Sequence, residues 1–164
     1  MRTLGIDPGT AATGWAVVEE KKGKIFPLAY GCIATLKNKS TAKRLWETAD
    51  DLEKIIKKYQ PGEAAVEDIF FFKNLKTAVK VSQSRGVLLL TLEKLKVKIF
   101  EYTPLEIKQA VTGYGRAEKK QIQSMVKNIL GLKTIPKPDD AADAIAVALC
   151  HINSRKIKNL TENN

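Results

Sequence analysis

The sequence predicts an α/β fold, with a mixed five-stranded sheet flanked by helices. Three strand-like segments open the chain, alternating helix and strand patterns follow, and helices end it. This order is typical of a sheet with helices packed on its faces. A chain of 164 residues is long enough to form one stable domain without disulfides. We expect residues 1–155 to form that domain and residues 156–164 to be a flexible polar tail.

The first three strands are predicted to be antiparallel. They cover residues 2–7, 13–20 and 25–36, and the basic segment Lys21-Lys22-Gly23-Lys24 forms the hairpin turn between the last two. Apolar residues at helical spacing then predict a helix over residues 41–59, which Pro61-Gly62 terminates. A fourth strand, a long helix and a fifth strand follow, at residues 64–69, 75–95 and 97–102.

Three more helices are predicted after the fifth strand. Thr103-Pro104-Leu105-Glu106 has the spacing of a capping box with proline at the first helical position, so one helix begins there and stops near Gly113. Residues 117–130 form an amphipathic helix that ends at Gly131. The last helix begins at Asp139 or Asp140 and runs to about Arg155.

Two acids lie near the ends of predicted core strands. Asp7 follows the apolar residues of the first strand and precedes Pro8-Gly9, and Glu67 lies in the fourth strand. An ionised carboxylate at a buried position costs several kcal/mol unless a cation or hydrogen-bond donors compensate. Alternatively, Asp7 only stabilises the turn through backbone amides. We infer that the two strands are parallel neighbours, so that their acids meet at one edge of the sheet.

The last helix adds more acids. Asp140 and Asp143 are three residues apart and share a helix face. Asp139 and Asp143 are four apart, so spacing alone admits Asp139 as well. Asp139 follows Pro138 and is the better helix N-cap, which favours Asp140 as the ligand. The alternative is that these acids only cap the helix and interact with its dipole.

Clustered carboxylates without histidine or cysteine partners indicate hard divalent cations. Like charges packed at one point repel one another unless cations neutralise them. Oxygen ligands suit Mg²⁺ or Mn²⁺ better than zinc. Two such ions can assist an in-line phosphodiester displacement, which makes a nuclease the natural reaction class.

The charge of the chain fits a nucleic-acid partner without requiring one. Lysine and arginine total 28 against 18 acids, giving a net charge of +10. This excess favours a polyanion, although charged helices also serve solubility alone. Two cysteines, Cys32 and Cys150, without CxxC spacing predict a cytoplasmic protein. The apolar runs are too short for a membrane span, so we expect no membrane association.

A run of three phenylalanines at 70–72 follows the fourth strand and precedes Lys73. Side chains alternate along a strand, so at least one of these rings is expected to reach solvent or a ligand. An exposed ring at this place could stack on DNA bases or wedge between them.

Motifs spread over nearly the whole chain resemble those of the RuvC family of Holliday junction resolvases. They are GIDPGT at 5–10, TGW at 13–15, AVEDIF at 65–70, KN at 73–74, QSRG at 83–86, FEYTP at 100–104, IKQAVTGYGRAEK at 107–119 and PDDAADAIAVAL at 138–149. The resemblance implies an RNase H-like fold and four metal-binding catalytic acids. They fall on Asp7, Glu67, Asp140 and Asp143, and the expected cofactor is Mg²⁺, two ions per active site, with Mn²⁺ as a substitute.

The resemblance also implies a homodimer that nicks a four-way DNA junction symmetrically, together with a branch-migration motor of the RuvA and RuvB type. For the dimer interface we predict the helix that carries Val87-Leu88-Leu89-Leu90, which is apolar all round; burial within one subunit would explain it nearly as well. Gly5 and Gly9 are expected to let DNA and metal approach the strand end. The predicted DNA contacts are Phe70, Lys73, Lys108, Arg116, Lys119 and Lys120.

Two other functions remain open at this point. An RNase H-like sugar-kinase or ATPase domain also opens with an acid and a glycine turn, but a kinase of this type normally needs two such domains. The second alternative is a noncatalytic junction-binding protein in which the acids are only structural.

Overall fold

The computed structural model describes residues 1–9, 11–68 and 75–162, with only the backbone at 75, 76 and 156–162. The strands in these ranges are β1 (Arg2–Asp7), β2 (Ala12–Lys21), β3 (Lys24–Ala34), β4 (Glu63–Glu67) and β5 (Lys98–Tyr102). The helices are α1 (Thr41–Tyr59), α2 (Leu75–Lys94), α3 (Pro104–Thr112), α4 (Lys119–Ile129) and α5 (Asp139–Glu162).

The five strands form one mixed sheet in the order β3-β2-β1-β4-β5. β2 pairs antiparallel with β1 and β3, whereas β4 pairs parallel with β1 and β5. The predicted five-stranded mixed sheet is therefore confirmed. The inference that the strands carrying Asp7 and Glu67 are parallel neighbours is also correct.

Helices cover both faces of this sheet. Leu4 and Ile6 of β1 point to one face, where they pack with buried residues of α1 and α2 such as Leu52 and Leu88. Alternate residues point to the other face, where Ala65 of β4 belongs to a core formed with α3, α4 and α5. Because successive side chains of a strand point to opposite faces, Asp7 and Glu67 share the face on which α5 lies.

Two glycines allow α5 to lie directly on the sheet. A Cβ atom at Gly5 would be 2.1 Å from the carbonyl oxygen of Ala144, and one at Gly14 would be 2.0 Å from that of Asp140. Gly5 was expected to admit DNA and metal, and this prediction is wrong because the helix occupies that space. A Cβ atom at Gly9 would instead meet the carbonyl oxygen of Ala12 at 1.9 Å, so Gly9 permits a tight turn.

The last helix begins at one of the two predicted residues but is longer than predicted. It begins at Asp139, so Asp139 is its first residue rather than its N-cap. It continues to Glu162 rather than ending near Arg155, so the backbone of residues 156–162 is helical. The flexibility predicted for residues 156–164 remains a prediction. Neither proline nor glycine interrupts this segment, so nothing in it forces the helix to end. Among the described helices, none has the length and apolar character that crossing a membrane requires.

Candidate metal centre

Asp7 and Glu67 emerge side by side from the centre of the sheet. Ile6 of β1 pairs with Val66 of β4, so the next residue on each strand is an acid at the carboxyl end of a parallel pair. Their side chains hydrogen-bond to each other. The strand register alone therefore brings together two acids that are 60 positions apart in the sequence.

The first turns of α5 add two carboxylates to this pair. One ligand oxygen from each of Asp7, Asp140 and Asp143 lies within 4.8 Å of the others. Asp140 is held there because the backbone of its helix rests against Gly14 of β2. Four acids from three elements thus meet at one edge of the sheet.

The cluster is electrostatically strained when no cation is bound. Burial above all, and then the hydrogen bond and charge of Glu67, raise the pKa of Asp7 from 3.8 to about 9. Burial also raises the pKa of Glu67, although the hydrogen bond from Asp7 and the charge of Lys108 act in the opposite direction. The Asp7 and Glu67 pair therefore retains a proton at neutral pH unless a cation replaces it.

Two of the predicted basic contacts lie in the same cleft as the acids. Asp7, Glu67 and Asp143 line a cleft with an empty volume of about 570 Å³, together with Lys108 and Lys119. The ammonium of Lys119 lies 2.8 Å from an oxygen of Asp143. This ion pair lowers the pKa of Asp143, but burial of the carboxylate outweighs it and the pKa remains raised.

Two other predicted contacts, Arg116 and Lys120, are not among the residues that line this cleft. Arg116 and Lys120 are exposed, and Lys120 lines a second cleft beside Tyr114 and Met125. Phe70 and Lys73 lie outside the described residues, so their predicted roles remain predictions.

Asp139 makes a different contact from its neighbour Asp140. Its carboxylate lies 2.6 Å from the ammonium of Lys137, and this bond lowers the pKa of Asp139. The ion pair, rather than a capping role, accounts for this acid. Asp140 lies in the cluster, and the sequence preference for Asp140 over Asp139 agrees with this geometry.

Two residues near the acids were missed in the sequence. The sulfur of Cys32 lies 3.9 Å from an oxygen of Asp140, because Cys32 pairs with Gly14 across β3 and β2. Arg85 of α2 forms ion pairs with Asp68, which directly follows β4, and with Glu101 of β5. Both contacts depend on strand register and helix docking, and the only signal for Arg85 was its place in the QSRG motif.

The donor set fits a hard divalent cation. It consists of carboxylate oxygens, and burial raises the pKa of Asp7 and of Asp143, so a bound cation would favour the charged forms of these two acids. Three or four carboxylates close together are ligands that Mg²⁺ and Mn²⁺ accept, whereas zinc prefers nitrogen and sulfur.

The sheet order, the helices on both faces and the acidic cluster at the strand ends define a nuclease-type RNase H-like fold. Residues 3–151 match the family model described as crossover junction endodeoxyribonuclease RuvC. The chain belongs to the RuvC family.

Relatives and solved structures agree with this assignment. A crossover junction endodeoxyribonuclease RuvC from Finegoldia magna is 52% identical over 162 residues, which cover 99% of each chain. Thermus thermophilus RuvC in complex with a Holliday junction substrate superimposes with a TM-score of 0.91 at 32% identity, covering 96% of each chain. The yeast mitochondrial Holliday junction resolvase Ydc2 shares the fold, with a TM-score of 0.67 at 13% identity over 98% of this chain and 83% of its own.

Proposed function

We propose that this chain is a single-domain endonuclease that resolves four-way (Holliday) DNA junctions by symmetric paired nicks, through divalent-metal-assisted hydrolysis of phosphodiesters. The observation that carries the proposal is the carboxylate cluster of Asp7, Asp140 and Asp143, within 4.8 Å, in a member of the RuvC family. The name of the Finegoldia magna relative and the junction bound to the Thermus thermophilus protein support the choice of substrate.

In this proposal, Asp7, Glu67, Asp140 and Asp143 hold Mg²⁺, with Mn²⁺ as a substitute and two ions per site. When bound, such ions supply positive charge that polarises a phosphodiester and offsets the charge that develops during its hydrolysis. The acids supply the matching negative charge from two rigid strands and a buried helix. Asp7 and Glu67 would give up their shared proton when they hold a cation, because the cation would supply the positive charge that the proton supplies without it.

The lysines of the cleft position DNA beside these acids. Lys119 pairs with Asp143 at 2.8 Å, and Lys108 lines the same cleft, where its charge opposes the burial that raises the pKa of Glu67. Ammonium groups at this distance can bind a phosphate that enters the cleft. Arg116 and Lys120, together with Phe70 and Lys73, complete the proposed DNA contacts.

The proposed homodimer uses the exposed face of α2. Leu88 and Leu92 are buried in the core of the subunit, whereas Val79 and Leu90 are 50% and 60% exposed on the same helix. The helix is thus apolar on a face that its own core does not cover. A two-fold axis through this face would give each dimer two acid clusters, which suits two equivalent strands.

The remaining parts of the proposal concern cellular context. We expect the enzyme to act in the cytoplasm with a branch-migration motor of the RuvA and RuvB type. Binding of the purified chain to a complex of such motor proteins on a four-way junction would test this partnership.

A cleavage assay on synthetic junctions tests the proposed function. With Mg²⁺, the wild-type chain should introduce paired nicks at symmetric positions of a four-way junction and leave a linear duplex of the same sequence intact. Nicking of both substrates at equal rates would contradict junction selectivity. Asp7→Asn should abolish cleavage while retaining junction binding, and undiminished cutting by this variant would refute the catalytic role of the cluster.

A further inference from the structure

A third cleft, which is polar, lies next to the turn that follows Asp7. It has an empty volume of about 490 Å³ and lies between the β1–β2 connection, α1 and α2. Arg44 of α1 and Lys80 of α2 contribute its two positive charges. None of the described residues that line it is acidic, although acids make up 18 of the 164 residues of the chain.

Hydrogen-bond donors surround these two cations. Thr35, Thr41 and Ser84, which carry hydroxyl groups, line the cleft together with Gln83, which carries an amide. Among the described lining residues, two cations thus lie beside hydroxyl and amide side chains, a combination that recognises an oxyanion such as phosphate.

The cleft is built by ordered parts of the fold. The Nε atom of Arg44 donates a hydrogen bond to the hydroxyl of Thr35 at 2.9 Å, which holds the guanidinium against β3. Lys80, Gln83 and Ser84 lie three or four residues apart and therefore share one face of α2. Thr41 begins α1, whose first turn contains no acid, so the positive end of the helix dipole also favours an anion here.

The cleft is close to the metal centre and distinct from it. Gly9 lines the cleft and is two residues after Asp7, so their Cα atoms are at most about 7 Å apart. A DNA strand carries one phosphate per 3.4 Å of helix axis. A strand cut at Asp7 therefore has other phosphates within reach of the cleft.

We propose that this cleft binds a backbone phosphate of the cleaved DNA strand, close to the scissile one, through Arg44 and Lys80. The cleft then acts as a second anchor for the DNA strand, in addition to the metal centre. The strand is thereby held at two points, one on each side of the turn that follows Asp7. This inference rests on the proposed function, because it takes DNA as the ligand.

The test measures binding of a synthetic four-way junction to Arg44→Gln, Lys80→Gln and the double variant, each in the Asp7→Asn background so that the junction stays intact. A plot of log K against log salt concentration has a negative slope. Loss of one phosphate contact should make this slope less steep by about 0.9. Affinity should fall roughly tenfold for the double variant, because hydrogen bonds to charged groups are lost. Lys57→Gln, in the last turn of α1 and paired with Glu53, is the matched control for charge and should keep the slope of its parent.

Neutral methylphosphonates placed one at a time in the junction strands identify the phosphate. One position near the nick should weaken binding in the Lys57→Gln control and have no effect in the double variant. The proposal is overturned if the Lys57→Gln control and the double variant have equal salt slopes and equal methylphosphonate interference patterns. Lys80 is exposed, so Lys80→Gln keeps the test valid if loss of the contact between Arg44 and Thr35 perturbs folding.

Free phosphate is the other possible source of the anion. If inorganic phosphate raises the melting temperature of the Lys57→Gln control but not of the double variant, while their interference patterns agree, the cleft binds free phosphate and the DNA assignment is wrong. If the wild-type chain fails to cut four-way junctions, the proposed function itself is refuted. Cleavage by that chain together with unchanged binding by the variants would refute only the second anchor.

Discussion

Asp7→Asn should change how the stability of the metal-free chain depends on pH. The folded-state pKa of Asp7 is raised from 3.8 to about 9 by burial and by its hydrogen bond to Glu67. Between these values the folded chain holds a proton that the unfolded chain has lost. The free energy of unfolding of the wild type therefore contains a contribution that is fully present below pH 3.8 and is lost as pH rises towards 9.

The size of this effect follows from one proton. A difference of one bound proton changes the free energy of unfolding by about 1.4 kcal/mol per pH unit. Between pH 5 and pH 8, the wild type should lose up to about 4 kcal/mol relative to Asp7→Asn. The asparagine amide resembles the protonated acid and does not titrate, so this contribution is absent from the variant.

Urea denaturation in the presence of EDTA, from pH 5 to pH 8, measures the difference. Asp139→Asn is the control, because Asp139 is paired with Lys137 outside the cluster and its pKa is lowered, not raised. The difference between wild type and Asp7→Asn should decline steeply with pH, whereas the difference between wild type and Asp139→Asn should stay nearly flat. Parallel curves for wild type and Asp7→Asn would refute the conclusion that the metal-free cluster retains a proton.

Two further substitutions test how the site and the dimer are built. Gly14→Ala places a Cβ atom 2.0 Å from the Asp140 carbonyl oxygen, so it should destabilise the chain by roughly 1–3 kcal/mol and reduce cleavage; Gly62→Ala, with nothing within 4 Å of its Cβ, is the control for both measurements. Leu90→Lys should shift the protein from dimer to monomer in sedimentation velocity, while Leu36→Lys, at a similarly exposed leucine, should not. Normal stability in Gly14→Ala would contradict the close contact between Gly14 and α5. A dimeric Leu90→Lys would contradict the dimer interface on α2.

Local sequence signals predicted most of the elements. α1 has the predicted bounds, and the capping box at Thr103 forms as expected, with the Glu106 carboxylate accepting a hydrogen bond from the Thr103 amide at 2.7 Å. Both features depend on residues within a few positions of one another. The acids at the ends of β1 and β4 were also visible, because a buried strand seldom ends in a carboxylate without a compensating partner.

Long-range packing limited the rest of the prediction. Gly5 was expected to face DNA and instead contacts α5, because nothing local in the sequence says which helix covers a strand. The contact between Cys32 and Asp140 joins residues 108 positions apart and depends on the register of β2 and β3. Arg44 and Lys80 lie on different helices, so the cleft between them appears only when α1 and α2 pack together.

The central claim is that the carboxylate cluster, and not the adjacent surface acid, drives junction cleavage. The most direct test compares single-turnover nicking of a four-way junction with Mg²⁺ by Asp140→Asn and Asp139→Asn, two identical substitutions at neighbouring positions. Asp140→Asn should be slower by roughly 100-fold, the upper end of the cost of losing a partner behind a metal ligand. Asp139→Asn should cut at the wild-type rate and positions. Equal rates for the two variants, or a slower Asp139→Asn, would contradict the account.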